Sequence, residues 1–135
     1  MKLSELLKKA DINLSQTLVI DPEIRSVVSD SRKVNAGDLY VSVRGEGADG
    51  HAFIPAALQA GAVSVIADED SKDGHTDSRI IRLKSSKHAL GVLAAAFHDF
   101  PARKMKVIGV TGTSGKTTTT FLIESILREA GLSPG

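Results

Sequence analysis

The sequence predicts an α/β fold in which a sheet with flanking helices is followed by the start of a second domain. Segments of strand periodicity alternate with segments of helical periodicity over residues 1–100, and this alternation is typical of α/β proteins. The alternation stops at Pro101, after which an apolar segment, a glycine-rich loop and another helical segment follow. Because 135 residues suffice for one ordinary domain with a remainder, we predict a first domain over residues 1–103 and a truncated second domain over residues 104–135.

The first predicted elements are a helix, a strand and a second helix. Apolar residues recur at helical spacing over residues 3–10, which predicts a short amphipathic helix. Residues 38–43 alternate, with Leu39, Val41 and Val43 on one side, which predicts a strand with one buried face. Helical spacing returns over residues 52–60, and Gly61 is placed to end that helix in a left-handed conformation.

The later elements continue the alternation. Residues 63–67 predict a buried strand, residues 68–78 an exposed loop, and residues 80–83 another strand. Ser85 or Ser86 then caps a third helix, and Pro101 stops the chain after it. The apolar stripe predicted for this helix is Leu90, Leu93, Ala94 and Phe97. In the second domain, residues 105–110 predict a strand and residues 116–130 a helix that Gly131 ends.

The composition and net charge exclude several kinds of site and give no support for several kinds of partner. A net charge of +1 gives no reason to expect nucleic acid or an anionic membrane as a partner. The chain has no cysteine, which excludes disulfides and thiolate metal sites, and its first residues contain no continuous apolar segment. We therefore expect a cytoplasmic protein. His75, His88 and His98 show no metal-ligand spacing with one another or with carboxylates.

The loop between the last predicted strand and helix has the composition of a phosphate-binding loop. Gly112 and Gly115 allow successive backbone N–H groups to face an anion, the helix start adds its positive end, and Lys116 adds a charge. Thr117 offers a hydroxyl to a phosphate-bound Mg²⁺. A strict Walker A pattern needs glycine where Val110 stands, so the loop is a variant. The alternative is a glycine-rich turn capped by Thr113 or Ser114 with a solvated lysine.

Read as T-G-T-S-G-K-T-T, residues 111–118 resemble the ATP loop of the Mur ligase family, the ATP-dependent amide-bond-forming enzymes of peptidoglycan precursor synthesis. Residues 30–41, Gly45 and residues 49–54 are similar to the signature of that family's N-terminal, UDP-sugar-binding domain. Within the family the loop is most similar to the MurE subfamily, although MurE loops usually carry Asn where this chain has Ser114. The MurF subfamily is the nearer alternative because it shares the upstream signature.

The resemblance implies which residues contact each ligand. For ATP and its Mg²⁺ it implies Gly112, Thr113, Ser114, Gly115, Lys116, Thr117 and Thr118, with Thr117 on the metal. For the uridine diphosphate end of the substrate it implies Ser29 and Ser31, with Glu46, Gly47 and Ala48 closing over it. By spacing alone, Ser29 and Ser31 equally fit a structural role in a turn. No catalytic residue is expected within this chain.

Two further sets of residues near these motifs have a structural interpretation. Arg32 either pairs with a substrate phosphate or forms a buried, fork-shaped ion pair with Asp30 or Asp38, and we expect the ion pair. Asp49 and His51 are expected in a turn that enters the helix, where one of them satisfies backbone donors.

For an intact family member, the resemblance implies that ATP phosphorylates the glutamyl carboxylate of UDP-N-acetylmuramoyl-L-alanyl-D-glutamate and that diaminopimelate or lysine then attacks the acyl phosphate. We expect this chain to be a fragment that binds the UDP-sugar and does not catalyse ligation. One alternative is a fragment of a MurF-like ligase. The other is a non-catalytic module that binds UDP-sugar or self-associates through the exposed strand and helix of residues 104–135.

Overall fold

The computed structural model describes residues 1–14, 17–71 and 74–135. It divides the chain into two compact units, Met1–Pro101 and Ala102–Gly135, which are described separately. Within the described residues, no helix has both the length and the apolar character needed to cross a membrane.

The first unit is built on a four-stranded sheet with the order β1-β2-β3-β4. Each strand is parallel to its neighbour, and the register pairs Val27 with Leu39, Leu39 with Ser64, and Val65 with Ile80. All four carboxyl ends therefore lie at the same edge, which is where ligands bind in open α/β sheets. The strands are β1 (Val27–Val28), β2 (Leu39–Val41), β3 (Ser64–Asp68) and β4 (Ile80–Leu83).

Helices cover both faces of this sheet. They are α1 (Leu3–Lys9), α2 (Ile54–Gln59) and α3 (Ser86–Phe97), with 3₁₀ turns at Ser31–Lys33, Gly50–Phe53 and Pro101–Arg103. One apolar cluster joins α1 and α3 to Leu39, Val41 and Ile66, whereas a second joins α2 to Tyr40 and Val65. Adjacent residues of one strand thus enter different clusters, as the alternation of strand side chains requires. The predicted α/β sheet with flanking helices is confirmed.

Strand β2 corrects the prediction of one buried face. Leu39, Tyr40 and Val41 are all buried, and so is Ser42 immediately after the strand. The reason is that a parallel sheet with helices on both sides buries both faces of its central strands. The predicted partner Val43 lies beyond the end of β2 and is half-buried.

The glycine predicted to end α2 does so. Gly61 has φ +107°, its N–H donates to the carbonyl of Leu58 (3.3 Å), and the N–H of Ala62 donates to the carbonyl of Ala57 (3.0 Å). This pair of hydrogen bonds is a Schellman motif. A Cβ at Gly61 would lie 2.8 Å from the Cα of Ala36, so glycine is needed here for space as well as for conformation.

Helix α3 begins as predicted but presents a different stripe to the sheet. The Ser85 hydroxyl accepts the N–H of His88 (3.2 Å), so Ser85 is the cap. The buried residues are Ser86, Ala89, Leu93 and Ala96, not the predicted set, of which only Leu93 is fully buried. Alanines at two of these positions let the helix approach the sheet closely, which places the bulkier side chains at the margins of the contact.

The connection between β3 and β4 is irregular where it is described. Asp68, assigned to this loop from the sequence, is the last residue of β3, and Lys72 and Asp73 lie outside the described residues. Arg82 of β4 donates to the carbonyl oxygens of Asp68 (3.2 Å) and His75 (2.9 Å), so the loop is fastened to the sheet edge. Asp68, Ser71, His75 and Asp77 are half-buried and the other described residues of the loop are exposed, so the loop is not uniformly exposed as the composition suggests.

The second unit contains one helix, α4 (Lys116–Glu129), and Gly131 with φ +76° follows it as predicted. The strand predicted over residues 105–110 is wrong, because no strand forms there. A strand needs a neighbour for its backbone N–H and C=O groups, and the described part of this unit offers none. Apolar side chains of both segments are consequently exposed, among them Val107 at 66% and Phe121 at 64%.

Candidate functional site

A cleft of about 780 Å³ opens in the first unit where β1 and β2 end. This volume lies within the range of about 300–1,000 Å³ that small-molecule sites occupy. The cleft is lined by Ser29 and Ser31, which follow β1, and by Gly45 and Ala48, which follow β2. These residues lie in or beside two segments of the same signature, and the parallel sheet brings the segments together at one edge.

The wall that follows β1 is held by Asp30 and Arg32. The Asp30 carboxylate accepts the backbone N–H of Arg32 (3.1 Å) and both Nε and Nη2 of its guanidinium (2.9 Å each). The side-chain hydrogen bonds from Arg32 are the largest cause that lowers the pKa of Asp30 to about 2. The fork-shaped pair was predicted, but it is not buried, because the Arg32 side chain is 87% exposed on a turn that projects into solvent. The other predicted acceptor, Asp38, instead receives the N–H of Asn35 (2.8 Å).

The wall that follows β2 is a hairpin of residues 44–49, here called the 44–49 hairpin. Arg44 and Asp49 form an antiparallel bridge at its base, and the N–H of Gly45 donates to the carbonyl of Ala48 (2.9 Å). Glu46 and Gly47 occupy its exposed tip and, unlike Gly45 and Ala48, do not line the cleft. The hairpin offers backbone groups and little side-chain bulk on the cleft side.

Two aromatic residues complete the cleft, and neither was singled out as a site residue from the sequence. The sequence predicts that Tyr40 lies in a strand and Phe53 in a helix, yet both residues line the cleft. Burial is the largest cause that raises the pKa of the Tyr40 phenol. Phe53 is 43% exposed, so part of its ring is accessible from solvent. The only available signal was that both lie inside the signature, Tyr40 in residues 30–41 and Phe53 in residues 49–54.

His51 lies beside the cleft and has a structural environment. Its N–H donates to the Asp49 carboxylate (3.0 Å), as predicted for the turn, and its Nδ1 lies 2.5 Å from the same oxygen. Its Nε2 accepts the backbone N–H of Asp68 (3.0 Å), which fixes the neutral tautomer with hydrogen on Nδ1. The backbone hydrogen bond from His51 is also the largest cause that lowers the pKa of Asp49.

In the second unit, the glycine-rich loop leads directly into α4. Gly112 and Gly115 have φ values of +154° and +74°, and Gly115 is the N-cap, so neither Thr113 nor Ser114 caps the helix. Lys116 Nζ donates to the carbonyl of Gly112 (2.7 Å) and thus folds back over the loop.

The first-turn amides of α4 belong to Lys116, Thr117 and Thr118, and they carry the unsatisfied donors of a helix N-terminus. All of these residues are exposed. This donor set of amides, an ammonium and a threonine hydroxyl fits a nucleotide phosphate with its Mg²⁺. No group of three or more His, Asp or Glu side chains in the described residues could hold a metal by itself.

The chain belongs to the Mur ligase family, because the family profile described as "Mur ligase family, catalytic domain" matches residues 23–98. Its relatives include the "UDP-N-acetylmuramyl-tripeptide synthetase" of Roseiflexus sp. (strain RS-1), which is 44% identical over 100% of this chain and 26% of the relative. The "UDP-N-acetylmuramoyl-L-alanyl-D-glutamate--2,6-diaminopimelate ligase" of Clostridium tetani is 41% identical over 100% of this chain and 28% of the relative. The predicted likeness to the MurE subfamily is thereby confirmed.

Solved structures of the family share the fold. MurF ligase from Thermotoga maritima in complex with ADP is 36% identical, with a TM-score of 0.58 over 78% of this chain and 23% of that one. A crystal structure of MurF from Acinetobacter baumannii is 26% identical, with a TM-score of 0.64 over 93% of this chain and 27% of that one. The chain thus spans about a quarter of the length of the proteins it matches.

Proposed function

We propose that this chain is the UDP-sugar-binding part, and the beginning of the ATP-binding part, of a ligase that adds diaminopimelate or lysine to UDP-N-acetylmuramoyl-L-alanyl-D-glutamate. The observation that carries the proposal is the ligand-sized cleft formed where two segments of the upstream signature meet, in a chain whose relatives are named for this reaction. The proposed enzyme works in the cytoplasm, where ATP and nucleotide-sugars are made.

The cleft in residues 1–103 takes the uridine diphosphate end of the substrate. The hydroxyls of Ser29 and Ser31 and the backbone amides of residues 46–48 hydrogen-bond to the diphosphate and the uracil edge without adding bulk. Glu46, Gly47 and Ala48 close over the nucleotide from the hairpin. Tyr40 and Phe53 supply the aromatic surface that a flat base requires.

The loop of residues 112–118 holds the phosphates of ATP at the start of α4. Backbone amides and Lys116 stabilise the charge on the transferred phosphoryl group, and Thr117 contributes its hydroxyl to the Mg²⁺ that the nucleotide carries. In the reaction, a glutamyl carboxylate oxygen attacks the γ-phosphorus and ADP leaves. The amine of the diamino acid then attacks the acyl carbon, loses a proton and displaces phosphate. We expect this chain alone to bind the UDP-sugar without performing these steps.

Calorimetric titration with UDP-N-acetylmuramoyl-dipeptide tests the cleft. The unsubstituted chain and the control Ser78→Ala, an exposed serine outside the cleft, should both bind saturably. Ser31→Ala should bind about tenfold more weakly, because it loses a hydrogen bond to a charged group. Absence of binding by the unsubstituted chain, or equal affinity of Ser31→Ala, would contradict the proposed site.

A parallel titration with ATP and Mg²⁺ tests the loop. Lys116→Ala should abolish any binding that the unsubstituted chain shows, because the ammonium near Gly112 is then lost. The exposed lysine Lys106 provides the control Lys106→Ala, which should bind as the unsubstituted chain does. Equal affinity of both lysine variants would remove the loop from the ATP site.

Two alternatives have specific support. A MurF-like ligase is favoured by the MurF structures that share the fold, and it would add a dipeptide instead of a diamino acid in a ligation assay of the whole enzyme. Self-association is favoured by the exposed apolar side chains of the second unit, such as Leu122 at 60% and Ile126 at 67%. Sedimentation at several concentrations tests it, and a monomer at every concentration would contradict it.

A further inference from the structure

The 44–49 hairpin is tied to residues 68–70, which are the last residue of β3 and the two that follow it, through Arg44 at one end and through His51, which is hydrogen-bonded to Asp49, at the other. At one end, Arg44 Nη2 donates to Asp70 Oδ1 (3.1 Å) and Nη1 to Oδ2 (3.3 Å). At the other end, the Nε2 of His51 accepts the backbone N–H of Asp68 (3.0 Å). Asp68 and Asp70 are separated only by Glu69, so one short segment holds both ends of the hairpin.

The tie through His51 is made by a buried ring. The ring is 3% exposed and spans from the Asp49 carboxylate to the Asp68 backbone, using one nitrogen as donor and the other as acceptor. A carboxylate oxygen of Asp68 also accepts the N–H of Ser86 (2.6 Å), the first residue of α3. The hairpin base, the end of β3 and the start of α3 therefore share one hydrogen-bonded connection.

The tie through Arg44 is an ion pair that is exposed to solvent. The side chains of Arg44 and Asp70 are 47% and 75% exposed. Ion pairs in such positions contribute little stability and are weakened by salt. Arg44 also lies 3.8 Å from Asp49 across the hairpin base, so releasing Asp70 does not leave the guanidinium without a nearby carboxylate.

We infer that residues 68–70 position the 44–49 hairpin over the cleft through two connections. The hydrogen bonds of His51, here called the permanent tie, stay formed. The Arg44–Asp70 ion pair, here called the releasable tie, opens and closes. The inference rests on the proposed function only for the identity of the ligand. None of Arg44, His51, Asp68 and Asp70 lines the cleft, so they are positioning residues that act through Gly45 and Ala48. Holding the hairpin in place before the ligand arrives lowers the entropy that binding must offset.

Amide hydrogen exchange of the whole chain, without ligand, tests the releasable tie. Arg44→Gln and Asp70→Asn should each increase exchange at residues 45–48 severalfold, through the Gly45 N–H that donates to the carbonyl of Ala48, and leave the strands unchanged, because only the hairpin opens. The double variant should exchange no faster than Arg44→Gln alone, since without Arg44 the carboxylate of Asp70 has no pair left to lose. Asp77→Asn, which removes the half-buried pair with Arg79, is the control for loss of an Arg–Asp pair and should have no effect.

The permanent tie has its own pair of variants. His51→Gln keeps one donor and one acceptor and should leave exchange at residues 45–48 close to that of the unsubstituted chain. His51→Leu keeps neither and should increase exchange at least tenfold. Raising the salt concentration should reproduce the effect of Asp70→Asn in the unsubstituted chain but not add to it in that variant.

Titration with UDP separates this inference from the proposed function. Arg44→Gln and Asp70→Asn should each weaken UDP binding about threefold, the range of an exposed pair. If the unsubstituted chain binds no UDP while exchange depends on the ties, the proposed function fails and the positioning inference stands. If exchange at residues 45–48 is the same in all variants, the inference is overturned whatever the chain binds.

Discussion

Tyr40, on a buried strand, donates its phenolic hydrogen to the carbonyl oxygen of Gly50 over 2.9 Å. The same Gly50 donates its N–H to the carbonyl of Val43 (3.0 Å), and a Cβ at Gly50 would lie 2.7 Å from backbone atoms of Val43. The turn that follows the 44–49 hairpin is thus held against β2 by one phenol and one close backbone approach.

Tyr40→Phe should lower the free energy of unfolding by about 1 kcal/mol, because it removes this hydrogen bond and leaves a carbonyl unpaired. Urea denaturation monitored by circular dichroism measures the change. Burial raises the Tyr40 pKa above its ordinary value of 10.0, so its stabilisation is complete below that pH and is lost as the pH rises further. Tyr40→Phe should not show this part of the alkaline loss, and an identical alkaline profile would contradict the assignment.

Two glycine substitutions should act in opposite directions. Gly61→Ala should destabilise the first unit by about 1–3 kcal/mol, because φ is +107° and the new Cβ meets Ala36. Gly91→Ala should stabilise it by about 0.5–1 kcal/mol, because Gly91 lies inside α3 with open space around it. Thermal unfolding of the two variants is compared with that of the parent. Destabilisation by both would show that Gly91 has a packing role.

Removing a buried hydroxyl group that has no hydrogen-bond partner should not destabilise the fold. Ser86 Oγ is buried and makes no hydrogen bond within the part of the chain that the structure describes. Ser86→Ala should therefore raise the free energy of unfolding by about 1 kcal/mol. Ser42→Ala is the matched control and should lower it by about 1 kcal/mol, because the Ser42 hydroxyl donates to the carbonyl of Ile66 (2.8 Å). A loss of stability in Ser86→Ala would point to a bound water at the hydroxyl.

Lowering the pH should reduce the free energy of unfolding of the first unit over a defined range. Hydrogen bonds from the Arg32 side chain lower the pKa of Asp30 to about 2, and those from Arg79 lower that of Asp77 to about 2. Because the folded-state values lie below the ordinary value of 3.8, the stabilisation is present above that pH and is lost as the pH falls towards 2. The urea midpoint should depend less on pH between these limits in the Asp30→Asn, Asp77→Asn double variant. An unchanged dependence would assign the acid effect to other carboxylates.

Strand β2 shows what local periodicity can and cannot predict. Apolar Leu39 and Val41 alternate with polar Tyr40 and Ser42, the pattern of a strand with one buried face. Both polar side chains are nevertheless buried, because the phenol reaches Gly50 and the hydroxyl reaches Ile66. Their partners lie elsewhere in the chain, so the pattern of β2 alone does not reveal them.

The candidate site likewise contains contacts that the sequence predicts and contacts that it does not. Ser31 and Ala48 were predicted from the family resemblance, and both line the cleft because the parallel sheet brings the segments after β1 and β2 to one edge. The contact between His51 and Asp68 joins residues 17 positions apart that share no motif, and no local signal indicates it. The false strand over residues 105–110 has the converse cause, because its pattern is correct but a strand also requires a partner.

The strand order has a consequence for synthesis of the chain. Each strand pairs with the one that precedes it, so a chain that leaves the ribosome amino end first always finds the edge for its next strand already formed. The last large element of the first unit, α3, ends at Phe97. The cleft can therefore assemble while the remainder of the polypeptide is still being translated, and nascent-chain protease protection should begin soon after this residue emerges.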